Sequence, residues 1–504
     1  MSARQPSSER QTTAPDHVTT TAMSSDAEKA QAGGVLGEAG EQRAQESNAR
    51  PTLRDKLNKP LSFHLAFLSL LIMVFIVPID ATALAVAIPS IAEELGGTTL
   101  EAFWANIAFM LTVTVVQPIY TSTSDVLGRK LPLYVAFFLF GVGSIIFAVA
   151  PSMPVVVLGR AVQGLGGGGI DVLNEVIPMA DSLREQLARI DWTGMALFTV
   201  GAVLFTLPLS WAGAMYPWNS WRIIVPLVIG AVVLVVFVWY EGKPAEPMFP
   251  YRIFANRTAA STLIGSFIHG MVLYTLLSYL PLFFQSAFLE APLQSAVSLI
   301  PFCAVLMSFT GIAAMGVEWT RRYRWEIWLG WIFLTVGVGL FALWGTAHNT
   351  AMIAGFQVVA GIGLGTLFTV PPIPMQASAA RPEDQGLAVG ILVAFRLFGA
   401  LIGLAIAATA FSKQFAVSVA GLGRLPAEVA ILENPNEALG FIPYLREVRL
   451  PAETMAGIQD AYAQALRVVF YILAAFGTVG FFGSLFTQEL AIKSEEAGKQ
   501  VFDA

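Results

Sequence analysis

Between residues 61 and 486 the chain is a succession of about a dozen apolar stretches, joined by short polar links that hold nearly all the local charge. A spanning helix needs about 20 mostly apolar residues. The stretches 131–150, 193–211, 223–240 and 465–486 each meet that requirement, so the chain reads as a polytopic membrane protein. Composition agrees, with 55% hydrophobic and 13% charged residues and a mean hydropathy of +0.65. At 504 residues a soluble chain would suggest about three domains, but here the length is consumed by repeated crossings.

The net charge of −6 gives no basic footprint for nucleic acid. The single cysteine, Cys303, excludes an intrachain disulfide framework and sits in an apolar run, where it reads as a packing thiol. Residues 1–60 are rich in Ser, Thr, Gln, Glu, Ala and Gly and contain no apolar core segment. That composition predicts a disordered tail and not a cleaved signal peptide.

Apolar runs predict helices near 63–89, 102–121, 132–150, 154–177, 192–212, 222–240, 260–284, 293–314, 326–346, 351–373, 386–410 and 465–487. Twelve crossings put both termini on one side. Positive residues are retained in the cytoplasm. With the N-terminus inside, the inner links carry Arg129, Lys130, Arg184, Arg189, Lys243, Arg252, Arg257, Arg321, Arg322, Arg324 and Arg381, against Arg222 alone in the short outer links. Both tails, 1–60 and 488–504, are therefore expected in the cytoplasm, and the proline-containing segment 412–464 as a long outer loop before a last helix at 465–487.

Small residues four apart let helix backbones approach in a membrane. Gly386, Gly390 and Ala394, followed by Gly399, Gly403 and Ala407, form two such seams in one helix. Packing accounts for most of the 44 glycines, Gly164 and Gly167 included.

Gly164, Gly166 and Gly169 have the spacing G-x-G-x-x-G, but the dinucleotide fingerprint requires a preceding strand and this run lies in a membrane segment. Helical spacing explains it better: Arg160, Gln163, Gly167, Asp171, Asn174 and Glu175 recur every three or four residues and share one face. A polar stripe on a spanning helix should face the bundle interior. It reads either as the lining of a transport path or as a structural ion-pair network.

Asp80 lies inside the first predicted helix between Pro78 and Pro89. Unpaired, such a carboxylate would take up a proton, which makes it a candidate proton carrier. Alternatively it is held by Arg160 or by backbone groups. At the inner end of the second helix, Asp125, Gly128, Arg129 and Lys130 form a charged turn, readable as a cytoplasmic latch that opens when the helices rock.

These residues also carry a resemblance. The run 121–130 resembles the loop signature of the major facilitator superfamily, G-x-L-A-D-R-x-G-R-K, and Arg160 with Gln163 and Gly164 resembles its fourth-helix signature, R-x-x-Q-G. Asp80, Ala81 and Thr82 with Ala87, Ile88 and Pro89 look like the first-helix signature of its fourteen-spanner drug:proton antiporters. The run 396–403, opening on Arg396, resembles the penultimate helix of the same branch. The likeness covers residues from about 60 to 490, and in detail is most similar to efflux pumps of filamentous fungi.

Two departures stand out. Thr121 and Val126 replace a Gly and an Arg of the loop signature, and the fifth-helix antiporter signature G-x-x-x-G-P-x-x-G-G is missing. After residue 177 the text 178–192 resembles the approach to that family's seventh helix, so two helices are expected to be missing. The resulting division is an N-terminal bundle of four helices (61–177), a linker helix pair with a cytoplasmic link (178–259) and a C-terminal bundle (260–411). The alternative is an ordinary twelve-spanner with a diverged fifth and sixth helix.

The resemblance implies a major-facilitator-like helical bundle that exports small organic molecules, such as drugs, toxins or secondary metabolites, by proton antiport. It implies a plasma-membrane monomer in a lipid bilayer whose partners are the substrate and protons, with Asp80, Arg160, Gln163, Asp171, Glu175 and Arg396 along the pathway. No Walker-type phosphate loop occurs, which argues against ATP-driven pumping. No enzymatic activity, cofactor or metal is expected. A non-transporting remnant and a facilitative nutrient transporter are the other functional classes.

Overall fold

The computed structural model describes residues 80, 91, 94–97, 99–128, 130–172, 190–212, 216–244, 247–381 and 384–490. The N-terminal tail, the C-terminal tail beyond residue 490, most of the first predicted helix, and Arg129, Asn174, Glu175, Arg184 and Arg189 lie outside the described residues. Among the described residues there is no β-strand, only an isolated bridge between Ala212 and Tyr216.

The principal helices are α1 (Thr99–Leu127), α2 (Lys130–Ala148), α3 (Met153–Val172), α4 (Trp192–Trp211), α5 (Trp221–Tyr240), α6 (Arg257–Ala287), α7 (Pro292–Ser298), α8 (Ile300–Thr320), α9 (Arg324–Phe341), α10 (Thr350–Thr369), α11 (Pro372–Ser378), α12 (Gln385–Ala420) and α13 (Ala452–Ser484). Counting α7–α8 and α10–α11 as single spans, nine among the described residues are long and apolar enough to cross a membrane. Helices α1 and α3 are more polar, and the expected first helix at 63–89 lies outside the described residues apart from Asp80. The chain is a multi-pass, all-helical membrane protein.

Local chemistry sets many of the ends. Asp191 caps α4 by accepting from Gly194 N at 2.8 Å, and Asn256 caps α6 by accepting from Thr258 N at 2.9 Å. Gly128, at φ +72°, makes the left-handed turn between α1 and α2 that a side chain would strain.

The helices sort into an N-terminal group and a larger C-terminal bundle. In the first, α3 packs against α1 and α2. In the second, α6 packs on α12 and α13, α9 on α10 and α13, and α8 on α10. The pair α4–α5 joins neither α2 nor α3 as a main neighbour; α4 lies on α1 and α12. There Phe198, Ala202 and Phe237 share one core with Leu111, Val115, Met248, Phe249 and Leu401. A bidentate pair from Arg252 to Asp384, with both contacts at 2.7 Å, pins the segment after α5 to the start of α12.

The segment 412–464 differs from the expected loop. Helix α12 runs on to Ala420 and α13 starts at Ala452, so the link is shorter and is itself folded into short helical turns. Val429, Leu432, Ile442 and Leu445 are buried there, and Tyr462 donates to Ala438 O at 2.6 Å. Hydropathy marks the length in lipid, whereas these helices continue past it with polar turns such as Gln459, Asp460 and Gln464.

Candidate functional site: a buried charge network

Helix α3 runs unbroken through the glycine-rich run, so Arg160 and Gln163 share a face, as their spacing predicts. Arg160 is fully buried, and its Nη1 lies 2.5 Å from Asp80 Oδ2 and donates to Gln163 Oε1 at 2.7 Å. Gln163 Nε2 in turn donates to Asp80 Oδ1 at 2.8 Å and to Ser144 Oγ of α2 at 3.1 Å. The guanidinium also stacks 4.2 Å from the ring centroid of Phe109 in α1. Both carboxylate oxygens of Asp80 are therefore engaged, and three helices and the Asp80 segment meet at one charge pair. Among the described residues, Arg160 Nε and Nη2 have no hydrogen-bond partner.

The glycines make this closeness possible. A Cβ on Gly143 would land on the backbone of Gln163, and one on Gly164 would strike Thr112 and the Phe109 carbonyl. One on Gly167 would press the Phe109 ring at 3.2 Å. The run packs helix against helix in mid-span, which leaves no place for a phosphate-binding turn.

Arg396 lies elsewhere, on α12, 3% exposed, donating from Nη2 to Phe368 O at 3.0 Å with its guanidinium 4.4 Å from the Phe368 ring centroid. Gly399 and Gly403 hold α12 against α6, facing the Phe267 and Met271 carbonyls. Of the turn residues, Gly128 takes the predicted tight conformation and Lys130 opens α2 exposed, while Arg129 and Glu175 fall outside the described residues. Asp125 and Asp171 lie in α1 and α3, and their side chains are not among those described.

Sequence reasoning missed Ser144, Phe109 and His269. The first two carry no local signal, since their roles depend on which helix lies opposite. His269, buried in α6 and bonded through Nε2 to Leu364 O at 3.1 Å, was visible as a lone histidine in an apolar run. Missed too was a carboxyl pair at the membrane border, Asp191 with Glu241, the latter 2% exposed. Phe249 N donates to Glu241 Oε2 at 2.9 Å, while Glu241 Oε1 and Asp191 Oδ2 converge over Gly194 without partners. Burial, opposed by the Phe249 amide and assisted by the Asp191 charge, raises the Glu241 pKa to about 7.

The sequence profile of the Major Facilitator Superfamily matches residues 70–404. The chain belongs to that superfamily. The MFS-type transporter sphD of Aspergillus fumigatus is 37% identical over 91% of this chain and 91% of its own length. The MFS-type efflux pump MMF1 of Pseudozyma antarctica is 30% identical over 87% of this chain and 93% of its own. Efflux pump FUS6 of Gibberella moniliformis is 28% identical over 87% and 90% respectively. The fold is similar to the inward-facing, occupied crystal structure of a bacterial homologue of the human lysosomal transporter Spinster, at 17% identity and a TM-score of 0.54 over 86% of this chain and 98% of that one. The protein is thus a membrane transporter of the major facilitator type.

Proposed function

We propose that this architecture exports small organic molecules, driven by proton antiport, as a monomer in the plasma membrane with both termini cytoplasmic. The observation that carries the reading is the buried pair of Asp80 and Arg160, bracketed by Gln163. A carboxylate paired with a guanidinium in a low-dielectric interior is held by mutual attraction, and a proton arriving on Asp80 removes that attraction. Loss of the pair frees α3 from the Asp80 helix and couples proton uptake to rocking between bundles. Export, and not import, is supported by the relatives named efflux pumps, and toxin or metabolite cargo by one named for an acurin A biosynthesis cluster. Asp125, Gly128, Arg129 and Lys130 are proposed as the cytoplasmic gating loop, and Asp171 and Glu175 as further pathway residues.

A second reading, that the 504-residue form inserts but exports little, is favoured by one specific observation. The match to sphD extends over 527 positions, more than the whole chain contains, although only 91% of the chain enters it. The relative therefore carries residues that this chain lacks, in keeping with a missing helix pair. Purified protein in proteoliposomes with an internal pH dye tests both. Substrate-driven proton counterflow supports the exporter, substrate flux without proton movement removes antiport, and no flux of either kind supports the second reading.

A further inference from the structure

The span that comprises α10 and α11 is broken at Pro371 and Pro372, after the 20 residues of α10. Proline has no N–H, so it removes the bond that a helix would make to the carbonyl four residues earlier. Pro372 thereby withholds a donor from Phe368 O and Pro371 withholds one from Leu367 O. In a bilayer the freed carbonyls need partners from neighbouring helices or water.

The first of them has one. Arg396 Nη2 of α12 donates to Phe368 O at 3.0 Å, and the same guanidinium covers the Phe368 ring. One turn earlier, His269 Nε2 of α6 meets Leu364 O at 3.1 Å, and its ring stands edge-on to Phe368 at 6.1 Å. Leu367 and Pro371 also border a cavity of about 20 Å3, lined further by Ser261, Thr262, His269 and Thr487, with room for one water. Helices α6 and α12 are themselves locked together, because the Gly270 backbone faces the Arg396 carbonyl and Gly399 faces that of Phe267.

We propose that Arg396 supplies, from the rigid α6–α12 pair, the hydrogen bond that Pro372 removes from Phe368 O, while His269 braces the preceding turn at Leu364 O, so that the α10–α11 break is a held hinge and Arg396 is a positioning residue. A neutral side chain could not do both jobs of Arg396, which gives a charge-assisted bond to a carbonyl and a flat cation over the adjoining ring. The hinge divides the span into a long fixed arm, α10, and the short α11, which packs on α6 and α12.

The test is a rescue, made on the purified full chain in detergent without substrate, so that its outcome is separate from that of the transport reading. Arg396→Met should speed amide exchange across residues 364–378 by on the order of tenfold, the scale of one lost hydrogen bond to a charged group, and lower the unfolding temperature. Pro372→Ala restores an N–H for Phe368 O, so the double variant should return exchange and unfolding temperature toward the parent. Arg396→Lys should keep part of the protection, and His269→Gln more than His269→Leu. Additive effects in the double variant, or an Arg396→Met chain with unchanged exchange at 364–378, would overturn the held hinge and return Arg396 to the substrate or proton path.

Discussion

Arg160 Nη1 lies 2.5 Å from Asp80 Oδ2, joining residues 80 positions apart in the sequence into one buried pair. Removing one partner of such a pair strands the other charge, at a cost of about 3–5 kcal/mol. In a transport-competent form, Asp80→Asn should abolish proton coupling while leaving the protein inserted, because the amide preserves shape and still accepts from Arg160 but carries no proton. Arg160→Ala should be at least as damaging, since it also undoes the Gln163 contact. Proton flux and membrane abundance, measured together, check both; unchanged proton-driven export in Asp80→Asn would assign Asp80 to packing.

The pair also shows how far the sequence could be read. The polar face of α3 was legible because helical periodicity is local, and the crossings because hydropathy is additive along the chain. The choice between a free proton carrier at Asp80 and one held by Arg160 was not, because it depends on how the Asp80 segment sits against α3. The same limit hid Arg396: a buried arginine reads as a pathway charge until Pro372, on another helix, is seen to leave Phe368 O for it. The outer helices were under-measured for a different reason, since α13 gains polar turns beyond the lipid that hydropathy ignores.

Glycine positions should separate by what lies opposite. Gly164→Ala and Gly399→Ala put a methyl group onto backbone carbonyls of α1 and α6, so each should cost about 1–3 kcal/mol of stability. Gly311→Ala, with nothing within 4 Å, should be neutral. Thermal unfolding of the three purified variants is the measurement, and equal effects at all three sites would contradict the packing described.

The Glu241 pKa of about 7 fixes the sign of a pH effect. A carboxyl group whose folded value lies above its unfolded one favours the fold at low pH, and that contribution is lost as pH rises from about 4.5 through 7. The groups facing it are Asp191, the Phe249 amide and Tyr240, whose hydroxyl donates to Asp191 Oδ1 at 3.2 Å. Glu241→Gln should therefore flatten the fall in unfolding temperature between about pH 4 and 8, values on either side of that interval, and raise stability at the alkaline end by roughly 1–3 kcal/mol. A pH profile unchanged by the substitution would show that the Glu241 carboxyl does not titrate above its ordinary range in the folded protein.

The sequon Asn256-Arg257-Thr258 should stay unglycosylated, because the proposed orientation places it on the cytoplasmic side. Its side chain is also occupied in capping α6. Glycosidase treatment should leave mobility unchanged, and Asn256→Ala should cost about 1 kcal/mol of stability through loss of the cap. A glycosidase shift abolished by that substitution would reverse the proposed topology from α6 onward.

The junction between Ile177 and Pro178 carries the last prediction: on the second reading, the 504-residue chain should insert but fail to confer strong resistance in an efflux-deficient yeast. Removing two helices leaves the inside or outside placement of everything downstream unchanged, so the distribution of positive residues stays satisfied and topology does not expose the defect. Packing does. Helix α4 lies on α1 and α12 in place of completing a bundle around α3. Alternating access needs two complementary bundles around a shared site. Inserting a family-like fifth and sixth helix, about 40 membrane residues at about 20 each, between Ile177 and Pro178 should restore proton-dependent resistance. Strong proton-dependent resistance from the 504-residue form itself would show that α4 and α5 have taken over the work of the missing pair, and would make this a divergent twelve-helix transporter.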